Sequence, residues 1–391
     1  MSETTTLINL QKRIKGDKVI WAIVFILSVF SLLAVYSSIG TLAYRYKEGN
    51  TYYYLFKHLF ILLFGIFLMY ATHLIKYTYY SRLSQLLLII TIPLQLLTLF
   101  TGTNLNEASR WLTLPIINLS FQTSDLAKLA LIMYVARLLS KKQDEIKDFK
   151  SAFIPIMLPV LIVCGLIFPA NFSTAAILFA TCFILMFIGR VNIKYLLAFM
   201  GIGLVIISIA LAIAFKYPHV LPRFETWKNR IENFKSGETN NNYQVEQAKI
   251  AIATGGVFGK LPGKSIQRNF LPHPYSDFIF AIIIEEYGLA GGMLIVFLYV
   301  ILLFRAIKIA SKCDKVFPAL LVVGCALILI FQAFINMAVA VNILPVTGQT
   351  LPMVSMGGTS IWFTSISIGI MLSVSKSYEI EDKTEEEEIE K

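Results

Sequence analysis

The residues best placed to do chemistry sit at the end of the longest polar stretch. The run Leu271-Pro272-His273-Pro274-Tyr275-Ser276-Asp277-Phe278-Ile279-Phe280 carries one carboxylate, Asp277, to the point where a polar segment enters an apolar one. Ionisable groups at or within a bilayer are costly, so they read as functional. Lys260, Lys264 and Arg268 come shortly before it, and phosphate oxygens are bound chiefly by Arg, Lys and backbone N–H groups. A carboxylate that takes a proton beside cations that hold a phosphate is the chemistry this spacing allows; the plainer reading is an ordinary loop packed on its neighbours. Glu285 and Glu286 follow within Glu285-Glu286-Tyr287-Gly288. On a helix they would lie roughly 12 Å from Asp277, beyond the separation of paired glycosidase carboxylates. They read instead as partners of buried cations or helix ends.

What positions these residues is a set of membrane helices. The chain is 57% hydrophobic and 15% charged, with a mean hydropathy of +0.70, far from a soluble domain's balance. Apolar runs fall at Val19–Tyr36, Leu55–Leu74, Leu86–Phe100, Leu126–Leu139, Phe153–Phe168, Thr174–Gly189, Tyr195–Phe215, Phe278–Phe304, Phe317–Val339 and Thr359–Val374. Against a requirement of about 20 residues per span, they predict an all-α polytopic bundle of about ten transmembrane helices. The long polar segment 216–277 joins spans seven and eight, between a short N-terminal segment 1–18 and a tail 376–391.

Basic residues orient the bundle. Lys12, Arg13, Lys15 and Lys18 precede the first span, Arg137, Lys141, Lys142, Lys147 and Lys150 follow the fourth, and Arg305, Lys308, Lys312 and Lys315 follow the eighth. The positive-inside rule places these loops and both termini in the cytoplasm, and the long loop with Asp277 outside it. The net charge of +10 is then a topological signal, with attraction to anionic lipid, and nucleic acid is set aside. No cleaved signal peptide is expected, because the polar start leads into a full-length span. Cys164, Cys182, Cys313 and Cys325 contain no CxxC pair and read as packing residues. His58 and His73 have no ligand-spaced companions. Tyr52-Tyr53-Tyr54 and Tyr77, Tyr79 and Tyr80 read as interfacial belts. The acidic tail Glu379–Lys391 reads as a disordered, solvated end.

The long loop has order of its own. Phe224, Trp227, Ile231 and Phe234 recur at helical spacing between Pro222 and Gly237, which suits a helix on the membrane surface. A second helix is predicted over Tyr243–Thr254, closed by Gly255-Gly256. In the fourth span Lys128 follows Asp125 by three residues, so an i,i+3 ion pair competes with substrate contact.

Several segments together resemble the SEDS proteins (shape, elongation, division and sporulation). They are Gly255-Gly256-Val257-Phe258-Gly259-Lys260; Leu271-Pro272; Ser276-Asp277-Phe278-Ile279-Phe280-Ala281; Glu285-Glu286-Tyr287-Gly288; Arg110-Trp111-Leu112; Gln122-Thr123-Ser124-Asp125-Leu126-Ala127-Lys128; Leu344-Pro345-Val346-Thr347-Gly348; and Leu351 through Ser360. The likeness covers essentially the whole chain. Gly16-Asp17-Lys18 and Val35-Tyr36-Ser37-Ser38 are more similar to the division branch than to the elongation branch. The resemblance implies a peptidoglycan glycosyltransferase that polymerises lipid II outside the cytoplasmic membrane. It implies a class B penicillin-binding protein and other division-complex membrane proteins as partners, and Asp277 as the essential acidic residue. A carboxylate there can act as general base towards a sugar hydroxyl, and cations can neutralise the departing diphosphate. A divalent cation, Mg or Mn, held partly by Asp277 is the alternative. Arg110, Trp111, Gln122, Ser124 and Lys128 become substrate-contact candidates, as do Lys260, Lys264 and Arg268. The Pro- and Gly-rich loop Val341–Ser360 has no basic residue and reads as a cavity for the lipid headgroup, with Ser355, Gly357 and Gly358 allowing close approach. The plainer reading of any one of its glycines is a helix break.

The chain departs from the family pattern in places. Gln122-Thr123-Ser124-Asp125 stands for Gln-Pro-Ser-Glu, and His273-Pro274-Tyr275-Ser276 for Glu-Ala-His-Thr. Asn171 replaces a carboxylate, so no acidic role passes to it. Outside the enzyme reading, a lipid-linked-precursor flippase would be expected to show charges along several spans and repeat symmetry. Neither is visible. A third reading, a division scaffold, predicts that Asp277 is dispensable for polymer synthesis.

Overall fold

The computed structural model describes residues 15–46, 48–101, 103–105, 108–114, 119–216 and 243–389. The surface helix expected over Pro222–Gly237 lies outside them. Among the described residues there are twelve α-helices: α1 Lys18–Ser38, α2 Gly40–Tyr46, α3 Thr51–Leu74, α4 Tyr77–Thr101, α5 Thr123–Lys141, α6 Ile154–Ile167, α7 Phe172–Ile188, α8 Ile193–Lys216, α9 Tyr243–Gly255, α10 Ile279–Ser311, α11 Val316–Ala340 and α12 Thr359–Ile389. Each of the ten expected spans has its helix. Among the described residues six helices, Lys18–Ser38, Thr51–Leu74, Tyr77–Phe100, Phe149–Ile167, Ile279–Ser311 and Val316–Ala340, are long and apolar enough to cross a membrane by length and composition. The protein is a multi-pass membrane protein. α11 lies at the centre, packed on α5, α7, α10 and α12. In lipid every backbone polar group must be satisfied within the protein, which favours this helical solution.

Three features differ from the sequence expectation. Helix α4 starts at Tyr77, well before the apolar run at Leu86. Its polar first turns are accommodated because Arg137 donates to the Ser81 carbonyl and the Tyr80 hydroxyl donates to Thr72 O at 2.5 Å. The segment between α4 and α5, in a chain expected to be all-α, forms a small antiparallel sheet of β1 Thr103–Leu105, β2 Ala108–Leu114 and β3 Leu119–Gln122, in the order β1-β2-β3. The acidic tail, expected to be disordered, continues α12 to Ile389. After Gly369 it contains neither Gly nor Pro, and Glu and Lys are good helix formers.

Both ends of the described chain meet at one pole. Asp17 caps α1 by accepting from Val19 N at 2.9 Å and Ile20 N at 3.2 Å, and its other oxygen accepts from Arg305 Nε at 2.6 Å. Gly16 N donates to Glu379 Oε2 at 2.8 Å. The Gly16-Asp17 pair therefore closes the first helix and ties it to α10 and α12.

At the opposite pole α10 is not continuous. Gly288 (φ 71°, ψ −175°) interrupts it, and the break is filled by backbone from Gly255-Gly256-Val257-Phe258-Gly259-Lys260. Leu289 N donates to Gly256 O at 2.9 Å, Ala290 N to Val257 O at 3.1 Å, Lys260 N to Glu285 O at 2.9 Å and Leu261 N to Glu286 O at 3.0 Å. A Cβ on Gly288 would strike Val257 O, and one on Gly259 would strike Glu286 O. Positive φ and close approach both demand glycine there. The two glycine motifs of the sequence are halves of one clasp.

Candidate active site

Asp277 directly precedes Phe278, the N-cap residue of α10, and is half-buried. Its place is fixed through the backbone on either side. Tyr275 O accepts from Met356 N at 2.9 Å, Ser276 O from Ser355 Oγ at 2.6 Å, and Asp277 O from Asn336 Nδ2 at 2.9 Å. Successive carbonyls are thus pinned to the loop before α12 and to α11. At the carboxylate itself, Ser276 Oγ donates to Oδ1 at 3.1 Å. Gly348 (φ +69°) faces Oδ2, where a Cβ would stand 3.7 Å away. The segment Val341–Ser360 therefore wraps the carboxylate, as its irregular, uncharged composition allows.

That wrapping is held from inside the bundle. Asn336 Nδ2 also donates to Gln349 O at 2.7 Å, and Gln349 Nε2 donates to Thr174 Oγ1 at 3.0 Å. One helical turn before Asn336, Gln332 Nε2 donates to Thr350 O at 3.0 Å, and its Oε1 accepts from Lys128 Nζ at 3.2 Å. Lys128 in turn pairs with Asp125 at 2.8 Å. Lys128 thus makes the i,i+3 ion pair that the sequence set against substrate contact, and it forms the far end of a polar chain that reaches the Asp277 loop. Beside it a narrow cleft lined by Asp125, Lys128, Gln332, Ser360 and Thr364 has a volume of about 20 Å³, room for about one water. Sequence reading missed Gln332, Asn336, Gln349 and Thr350. The available signal was Gln332 and Asn336 at i,i+4 on an otherwise apolar helix, since polar side chains within spans are rarely idle.

The remaining candidates separate into groups. Ser355 is buried, accepting from Leu351 N at 2.8 Å while donating to Ser276 O, so it pins the site rather than lining it. Gly357 and Gly358 are half-buried, and a Cβ on Gly358 would meet nothing within 4 Å, leaving room for close approach. Trp111 lies in β2, paired with Gln122 on β3. Gln122 N donates to Thr359 Oγ1 at 3.4 Å, and Gln122 Nε2 donates to Ser124 Oγ at 2.9 Å. The sheet is thereby fastened to the start of α12, immediately after Gly358. Arg110 belongs to the same strand; its side chain lies outside the described part. Asn171 accepts from Thr174 N at 3.3 Å and caps α7, a role that needs no carboxylate.

The expected cradle of three free cations is not what the structure shows. Lys260 Nζ is bonded to Glu285 Oε1 and to Thr254 Oγ1, at 2.8 Å and 2.9 Å. Arg268 Nη1 donates to Ser37 O at 3.0 Å. Lys264 alone of the three is exposed. The reason is the pair of buried glutamates. Glu285 also accepts from Ile266 N at 3.1 Å, Gln267 N at 3.3 Å and the Ser265 hydroxyl. Glu286 accepts from Ser265 N at 3.2 Å and from the Ser37 hydroxyl. A buried carboxylate left without donors would be strongly destabilising, so the nearby cations and amides are drawn to it.

The fold and site define a multi-pass helical membrane protein in which the half-buried carboxylate Asp277 is enclosed by loop backbone just before a broken helix. Residues 17–380 match the family of cell cycle proteins that comprises FtsW, RodA and SpoVE, and the chain belongs to that family. It is 30% identical to Stage V sporulation protein E of Bacillus subtilis (strain 168), over 93% of this chain and 98% of that one. It is 31% identical to the probable peptidoglycan glycosyltransferase FtsW of Geobacter sp. (strain M18), again over 93% of this chain and 98% of the relative. Among solved structures it is similar to a chain from work on the "structural coordination of polymerization and crosslinking by a peptidoglycan synthase complex". There the TM-score is 0.70 at 25% identity, covering 93% of this chain and 98% of the other.

Proposed function

We propose that this protein is a peptidoglycan glycosyltransferase that polymerises lipid II, the undecaprenyl-diphosphate-linked disaccharide peptide, at the outer face of the bacterial cytoplasmic membrane. The observation that carries the reading is Asp277, held by three anchored carbonyls and enclosed by Val341–Ser360 at the polar edge of the bundle. An acceptor sugar hydroxyl placed against the carboxylate gives up its proton to Asp277 as its oxygen attacks the anomeric carbon of the donor. The bond to the diphosphate breaks, and the diphosphate leaves with the electron pair. A positioned base contributes about 10²–10⁴-fold, and the diphosphate needs charge neutralisation more than protonation. Lys264, which is exposed, and Arg110 are the cations assigned to it. Lys128 acts through Gln332 on the loop that frames the carboxylate.

A divalent cation fits here in one way. Among the described residues no group of three or more His, Cys, Asp or Glu could hold a metal, whereas Mg²⁺ commonly binds through one or two carboxylates plus substrate phosphates. Asp277 would be its protein ligand and the diphosphate would complete it. The distribution of Lys and Arg favours cytoplasmic termini with the Asp277 pole outside. A class B penicillin-binding protein that cross-links the product is the proposed partner, with other division-complex membrane proteins. The likeness to FtsW and SpoVE relatives supports work at a division or sporulation septum rather than RodA-type elongation.

The test is incubation of purified protein with lipid II, with and without a partner whose own glycosyltransferase site is inactive. Polymer is expected. Movement of lipid II across a liposome bilayer without polymer would favour the flippase reading instead.

A further inference from the structure

Where α1 ends at Ser38 the chain turns into α2, and the 3₁₀ turn Gln267–Asn269 packs against both. Between them lies a cavity of about 840 Å³, lined by Tyr36, Ser37, Thr41, Tyr44, Arg268 and Asn269 among others. That is within the range of small-molecule sites, about 300–1,000 Å³. No residue of Val341–Ser360 lines it, so it is separate from the enclosure of Asp277. In a chain that is 57% hydrophobic, its walls carry phenol rings, hydroxyls, an amide and a guanidinium, with glycine the only other residue type.

The walls are built rather than incidental. Arg268 Nη1 is bound to Ser37 O at 3.0 Å and to Ser37 Oγ at 3.1 Å, and the same hydroxyl donates to Glu286. The guanidinium is therefore held in place, and its charge is offset by a buried carboxylate one hydroxyl away. Tyr44 lies with its ring over Gly49, where a Cβ would stand 3.4 Å from the ring, and is 81% exposed. An exposed aromatic face beside many hydroxyl and amide groups suits a hydroxyl-rich ligand.

We propose that this cavity is a saccharide-binding subsite that holds a stretch of β-1,4-linked amino-sugar chain away from the reacting carboxylate. The proposal rests on the polymerase reading for the identity of the sugar, and its test does not require turnover. The probe is a soluble, lipid-free β-1,4-linked amino-sugar tetrasaccharide, titrated by saturation-transfer NMR against the full-length Asp277→Asn protein in nanodiscs. Binding is expected. Tyr44→Ala should weaken it by about fivefold, from the loss of one aromatic contact. Tyr44→Trp should retain it, and Phe304→Ala at the other end of α10 should not alter it. In the turnover assay Tyr44→Ala should shorten the polymer. The proposal is overturned if the tetrasaccharide does not bind, if Tyr44→Ala and Tyr44→Trp bind it as the parent does, or if inorganic phosphate displaces it and is itself the ligand that Tyr44→Ala weakens. Retained tetrasaccharide binding with no polymer from the wild type would contradict the polymerase reading and leave the subsite standing.

Discussion

Asp277 and Glu285 enter the bundle on the same stretch of chain, yet the structure treats them in opposite ways. Around Asp277 the backbone is fixed, by Met356, Ser355 and Asn336, while the side chain keeps partial exposure. Around Glu285 it is the side chain that is saturated. It is fully buried and accepts from Lys260, Ser265, Ile266 and Gln267. A fully buried acid tied to four neighbours holds structure together; an acid on a rigid mount that keeps partial exposure can do chemistry. Distance along the helix does not separate the two roles. Burial of the side chain does.

The largest expected effect on stability comes from breaking the saturated side. Lys260→Met leaves Glu285 buried without its cation and should cost about 3 kcal/mol, as for other broken buried pairs, read as a lowered midpoint in thermal or denaturant unfolding. Turnover per folded molecule should fall far less than stability does. If Lys260→Met instead abolishes polymerisation in a protein that unfolds normally, Lys260 belongs with the substrate and the contrast collapses. Gly288→Ala comes next. It forces a Cβ into Val257 O at positive φ, and strain of about 1–3 kcal/mol is expected, visible as faster proteolysis between Gly255 and Lys264. Asn336→Ala sharpens the other side. It removes the donor that joins Asp277 O to Gln349 O, so a stability loss of about 1–2 kcal/mol should come with a drop in kcat well beyond any change in KM. The smallest effect is that of Lys264→Ala. Stability should shift by less than about 0.5 kcal/mol for an exposed residue, with a rise in KM for lipid II as the readout.

Much of the architecture is visible in hydropathy, because burial in lipid demands long apolar helices and little else produces them. What hydropathy hides is helix with a polar face. The start of α4 around Ser81 escaped because its polar groups are satisfied by Arg137 from another helix, which no local window sees. The sheet at 103–122 escaped because its strands are short. For the site, Asp277 stood out by its position; of the two glutamates expected to meet buried cations or helix ends, Glu285 pairs with the partly exposed Lys260, while Glu286 accepts from Ser265 N and the Ser37 hydroxyl. The assignment of Lys260 and Arg268 to a diphosphate was the natural reading of cations near a carboxylate, but charge counting cannot tell which acid they serve. Gln332 and Asn336 were within reach of sequence, and they show that amides in a membrane helix merit the attention usually given to charges.

The most direct test of the central claim compares Asp277→Asn with Asp277→Glu in purified protein, measuring lipid II polymerisation and the unfolding midpoint on the same preparations. The account predicts that Asp277→Asn loses at least about 10²-fold in rate with its midpoint nearly unchanged, and that Asp277→Glu recovers part of that rate. Polymerisation by Asp277→Asn at the wild-type rate, or a loss that tracks a collapsed midpoint, would contradict it.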